Sequence, residues 1–107
     1  MTTDTLKVHL PMETIGEFCR RWKITQLSLF GSALRDDFTE RSDLDFLVTF
    51  APGAGWSLLD HVEMEEELAQ ILSRRVDLLT RRAVERSHNW LRRNEILGSA
   101  RVVYEAR

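Results

Sequence analysis

The feature that most restricts what this chain can fold into is a pair of short apolar runs, Leu27 to Phe30 and Leu44 to Phe50, on either side of a polar loop. Both are strand-length, and both stop at residues that punctuate regular structure: Gly31-Ser32 after the first and Pro52-Gly53-Ala54-Gly55 after the second. The loop between them holds no convincing crossover helix, so parallel and antiparallel pairing both stay open. The second run starts oddly. Asp43 and Asp45 flank its first apolar residue, placing two carboxylates where a small protein needs core.

Helical and strand-like segments surround this unit. Met12, Ile15, Phe18, Cys19 and Trp22 recur at helical spacing behind Pro11. Ser57 and Asp60 form a capping-box-like start for a second helix, with Leu58, Val62, Leu68, Ile71 and Leu72 as its apolar face. Val76 to Thr80 is a third strand. Residues 81–97 read as one further helix that packs through Val84, Trp90, Leu91 and Leu97 and stops at Gly98. Arg101 to Tyr104 is a candidate final strand. The order predicts an α/β (α+β) fold, a small mixed β-sheet flanked by helices.

At 107 residues, with 43% hydrophobic and 30% charged residues, the chain is expected to form a single domain over 1–107 with a real core. No apolar run approaches the ~20 residues that span a bilayer, and the N-terminus lacks the pattern of a secretory signal. One cysteine, Cys19, excludes an internal disulfide and a Cys-based zinc site. A cytoplasmic protein without membrane contact is the expectation. Charge is uneven: residues 1–80 hold 8 Lys/Arg against 14 Asp/Glu, and residues 81–107 hold 7 Arg against 3 Asp/Glu. That basic end fits a docking face for a partner or polyanion and fits a solvated helix equally well. The net charge of -2 gives no support to direct nucleic-acid binding.

In a strand, residues i and i+2 share a face, so Asp43 and Asp45 project together, about 6.6 Å apart at Cα. Asp77 is a lone acid in the apolar strand Val-Asp-Leu-Leu. If its strand lies beside the Asp43–Asp45 strand, three carboxylates meet. Packed together and desolvated they would repel, and a divalent cation removes that cost. Sparse hard oxygen ligands suit Mg²⁺, which completes its shell with water and substrate phosphate. Two such ions about 4 Å apart support in-line phosphoryl or nucleotidyl transfer. Each acid also has a plainer reading: Asp77 at a solvated strand end, and Asp43–Asp45 as a strand-start cap beside a surface residue. An EF-hand is disfavoured because Phe46, Leu47 and Val48 stand where it needs oxygen ligands and a glycine.

Gly31 lets a backbone approach phosphate without a Cβ in the way, and Ser32 adds a hydroxyl donor. No Walker lysine follows, so this is not a P-loop. Arg35 is a further candidate phosphate contact.

Gly31-Ser32, ten intervening residues and then Asp43-Leu44-Asp45 resemble the GSx10DxD signature of the polymerase-β-like nucleotidyltransferase superfamily, and Asp77 falls where that family keeps its third carboxylate. The resemblance covers roughly residues 12–105, with no room for a separate substrate domain, and is similar to the minimal nucleotidyltransferase (MNT) antitoxins that are paired with HEPN-domain toxins. It implies that Asp43 and Asp45 bind two Mg²⁺ ions and that Asp77 completes the metal site and assists the attacking hydroxyl. It implies that Gly31, Ser32 and Arg35 hold the nucleotide. The implied activity is transfer of AMP from ATP to a tyrosine of a HEPN RNase toxin, within a hetero-oligomer of the two proteins. The chain departs from many relatives in having Asp36-Asp37 after Arg35. The alternatives are a non-catalytic antitoxin that neutralises by binding and a small-molecule nucleotidyltransferase subunit.

The remaining features read as structural. Trp22, Trp56 and Trp90 are core or interface residues, and His9, His61 and His88 lack metal-site spacing. The acidic run from Glu63 to Leu68 reads as a solvated helix face.

Overall fold

The computed structural model describes residues 10–31 and 43–106. Chain order is α1 (Met12–Arg21), β1 (Ile24–Phe30), β2 (Leu44–Phe50), α2 (Leu58–Leu72), β3 (Val76–Thr80), α3 (Arg81–Glu85), α4 (Trp90–Ser99) and β4 (Arg101–Glu105). The four strands form one mixed sheet in the order β3-β2-β1-β4. The pairing left open by the sequence is antiparallel for β1 with β2, and β4 also runs antiparallel to β1. Strand β3 lies parallel to β2, as the α2 connection between them permits.

Strand alternation gives the sheet two unequal faces. On one, Leu27, Leu29, Leu44, Phe46, Val48 and Leu78 bury against Ile15, Phe18 and Cys19 of α1 and Met64 and Leu68 of α2. Helix α1 packs well because its apolar residues share one face, while Glu13 in its first turn and Arg20 and Arg21 in its last complement the helix dipole. The expected capping box at Ser57 and Asp60 is present in both directions. On the opposite face, Phe30 and Leu47 are covered by Val84 of α3 and Ile96 of α4. This second layer is thin, and it is the face onto which Asp45 projects, two residues before Leu47.

The helical cover differs from the sequence expectation in four places. The helix predicted over 81–97 is two helices. The first ends near Arg86, and α4 starts afresh at Asn89, whose side chain caps the Arg92 N–H at 3.2 Å. Asparagine is a strong N-cap and a weak interior residue, so a new helix start beats continuation. Gly98 lies inside α4 and does not end it. Trp90 and Leu91 are exposed and Ile96 takes the core position, because the restart at Asn89 resets the helical phase. In α2, likewise, Leu58 (79% exposed) and Val62 (43%) face solvent and Met64 is the buried residue. Met64 and Leu68 are spaced i, i+4 towards the sheet, so Leu58 and Val62 fall on the far side.

The acidic run of α2 does more than face solvent. Glu65 accepts the Leu78 N–H at 2.7 Å, and His61 Nε2 donates to the Leu78 carbonyl at 2.7 Å. Strand β3 is a sheet edge, and these side chains satisfy a backbone pair that would otherwise be open. Glu67 accepts from Trp22 Nε1 at 2.9 Å and pairs with Arg21, fastening α2 to the end of α1. Trp22 and Trp56 meet edge to face with centroids 5.1 Å apart, and Trp56 Nε1 donates to the Trp22 carbonyl. Among the described residues no helix is long and apolar enough to cross a membrane.

Candidate functional site

Gly31 ends β1 with φ at +77°, a backbone state that costs nothing for glycine and strains other residues. It also lies against the acid on the neighbouring strand. Phe30 is the cross-strand partner of Asp45, and a Cβ built on Gly31 would stand 2.4 Å from Asp45 Oδ2. Only a residue without a side chain lets the backbone come this close to that carboxylate. Ser32 and Arg35, the other expected nucleotide contacts, lie outside the described residues.

The placement of Asp77 follows from register. Asp45 and Asp77 are direct partners across the parallel β2–β3 pair, so their side chains leave the same face of the sheet about 5 Å apart. Asp45 is half-buried, whereas Asp43 and Asp77 are exposed. Asp43, one residue before β2, accepts from Arg75 Nε at 3.2 Å. The two strands therefore bring all three acids to one end of the sheet. They are not drawn into a single cluster: among the described residues no three His, Cys, Asp or Glu side chains are grouped tightly enough to hold a metal ion. Their donor chemistry is that of a hard cation site, with carboxylate oxygens at two adjacent strands.

Gly31 and Asp45 form one wall of a cleft of about 420 Å³, and Arg92, Glu95 and Ser99 of α4 form the other. These α4 residues are spaced i, i+3, i+7 and make one stripe beside the inward-facing Ile96. Sequence reasoning missed this wall. The stripe was visible in the spacing, but a helix running straight through from 81 hides which way it faces. A larger cleft of about 620 Å³ lies at the other end of β2 and β3, lined by Trp56, His61, Thr80 and Arg81. It holds none of the three acids, whereas the smaller cleft is lined by one of them, Asp45.

This arrangement has counterparts among known proteins. Residues 11–103 match the family model described as "Nucleotidyltransferase domain". A Methanocaldococcus jannaschii protein, named by inference a protein adenylyltransferase, is 46% identical over 57 residues, 53% of this chain and 59% of that one. A solved structure described as a minimal nucleotidyltransferase superimposes with a TM-score of 0.64 at 34% identity, covering 83% of this chain and 85% of the other. A toxin–antitoxin structure solved with AMP-PNP shares the fold, with a TM-score of 0.68 at 21% identity over 92% of this chain and 76% of that one. The chain spans only 59% to 64% of the length of the first two curated relatives it matches. With the matched family model covering nearly the whole chain, this chain belongs to the nucleotidyltransferase domain family.

Proposed function

We propose that this protein is an antitoxin that transfers AMP from ATP to a tyrosine of a cognate HEPN-domain RNase toxin in the cytoplasm, and so silences it. The observation that carries the reading is the Asp45–Asp77 register pair beside Gly31. A purely structural sheet gains nothing from two adjacent acids on one face, since like charges across a strand pair destabilise it. The likeness to a toxin–antitoxin structure solved with AMP-PNP supports the choice of partner and nucleotide.

In this reading Asp43 and Asp45 hold Mg²⁺, in two ions, with Asp77 completing the set. Bound Mg²⁺ neutralises the phosphate charge and the departing pyrophosphate. The backbone at Gly31, with Ser32 and Arg35, holds the triphosphate. Asp77, which is exposed on β3, accepts the proton of the tyrosine hydroxyl as its oxygen bonds to the α-phosphorus. The bond from that phosphorus to the β-phosphate oxygen breaks, and pyrophosphate leaves. Asp45 is rigidly held on a strand, which positions a ligand more accurately than a loop does.

The test is intact-mass spectrometry of the HEPN partner after incubation with this protein, ATP and Mg²⁺, with Asp43→Asn/Asp45→Asn as control. Mass gains in whole AMP units that vanish in the control establish the transfer. No gain with any nucleotide, while the control still neutralises the toxin, replaces this reading with a binding antitoxin. Labelling of a small hydroxylated acceptor and never of the protein would point to the small-molecule transferase.

A further inference from the structure

We propose that Arg92 grips the polyphosphate tail of the nucleotide from the α4 side of the cleft, opposite Gly31; this rests on the nucleotidyl-transfer reading above. Arg92 shares the 420 Å³ cleft with Gly31 and Asp45. Its guanidinium makes no ion pair among the described residues, although Glu95 lies one helical turn away and Asp45 stands across the cleft. An arginine that lines a cleft and leaves both nearby carboxylates alone is open to an incoming anion.

Its position on the helix points the same way. Arg92 is the third residue of α4, and the first turn of α4 holds no acid. A cation there opposes the positive end of the helix dipole, so local helix physics gives no reason for it. Residues that break a local rule are expected where a site needs them. The planar guanidinium fork binds two phosphate oxygens at once, which suits a polyphosphate better than a single ammonium would.

The described lining of the cleft carries one guanidinium and two carboxylates, Asp45 and Glu95. That balance repels a bare triphosphate and accepts one whose charge a divalent cation has reduced. Arg92 then supplies a fixed positive charge from the α4 wall, and Asp45 lies on the wall across from it. The contact reaches the β- and γ-phosphates, and AMP has neither.

The test is calorimetric binding of ATP and of AMP, each with Mg²⁺, to the full chain and to Arg92→Ala, Arg92→Lys and Arg93→Ala. Arg92→Ala is expected to weaken ATP binding about tenfold or more while AMP binding stays unchanged. Arg92→Lys should fall between, and Arg93→Ala, the neighbouring charge, should match the parent. Equal losses for ATP and AMP, or full retention of ATP in Arg92→Ala, overturn the assignment and leave nucleotidyl transfer standing. A parent protein that binds neither nucleotide overturns both.

Discussion

Gly31 and Asp45 are in contact across two strands in a way only glycine permits: an added Cβ would lie 2.4 Å from the Asp45 carboxylate, at a backbone φ of +77°. Gly31→Ala therefore meets two penalties. The left-handed backbone alone costs roughly 1–2 kcal/mol. The Asp45 carboxylate must also move, and displacement of a reacting group by about an ångström costs on the order of a hundredfold in rate. Denaturant titration should show the modest stability loss. AMP transfer, measured where the variant is still folded, should fall far more than that loss explains. Equal, small effects on both would mean that Asp45 tolerates displacement and is not at the reacting centre.

The Asp45–Asp77 pair predicts a separation of stability from activity. Asp77 is exposed and stands beside a like charge, so Asp77→Asn removes repulsion and breaks no core contact. Stability without metal should stay within about 0.5 kcal/mol of the parent or rise. Transfer should drop by at least about a hundredfold if the carboxylate takes the hydroxyl proton. A marked fall in melting temperature instead would make Asp77 a structural residue.

Helix α2 predicts opposite outcomes for two apolar truncations six residues apart. Met64 is wholly buried against the sheet, and Met64→Ala should cost about 2–5 kcal/mol. Leu58 is 79% exposed, and Leu58→Ala should change stability by no more than about 0.5 kcal/mol. Urea midpoints of the two variants decide it. A large cost at Leu58 would mean that α2 is rotated from the position described.

That contrast also shows where the sequence was legible. The strand bounds Leu44–Phe50 and Val76–Thr80 and the Ser57–Asp60 cap agree with the sequence reading, since each is set by local signals: apolar runs, breakers and a capping pair. The acids at β2 and β3 and Gly31 at the end of β1 stand out in the sequence for the same reason, as exceptions within or at the ends of apolar runs. The two sides of α2 were not, because Leu58, Leu59 and Val62 carry apolar residues away from the core and blur its periodicity. Strand register was not legible either. It depends on which residues meet across β2 and β3, and that is decided by packing at long range. The Arg92 wall stayed hidden because the break at Asn89 competes with an otherwise continuous helical pattern.

Cys19 should be chemically silent in the folded protein. It is fully buried beneath α1, and burial pushes its thiol up to about 12, with Arg20 opposing only in part. The thiolate is the reactive form, so a disulfide-exchange reagent at pH 8 should label native protein only as fast as it unfolds. Adding denaturant should expose one thiol per chain. Rapid labelling without denaturant would show that α1 opens locally.

The Arg21–Glu67 pair predicts how acid weakens the α1–α2 junction. The hydrogen bond from Arg21 lowers the Glu67 carboxyl below the ordinary Glu value, burial opposes this, and the Trp22 indole N–H adds to the lowering. A carboxyl with a depressed folded-state value stabilises the fold above its unfolded value of about 4.3, and that contribution is lost as pH falls through the folded one. Glu67→Gln keeps an oxygen for the Trp22 indole but cannot titrate. The parent should therefore be the more stable of the two near neutral pH, and the gap should close as the pH is taken from about 5 to below the folded-state value. Thermal melts of both proteins across that range test the sign directly. A gap that stays constant with pH would mean that the Arg21 contact contributes nothing through its charge, leaving the Trp22 hydrogen bond as the fastening between the helices.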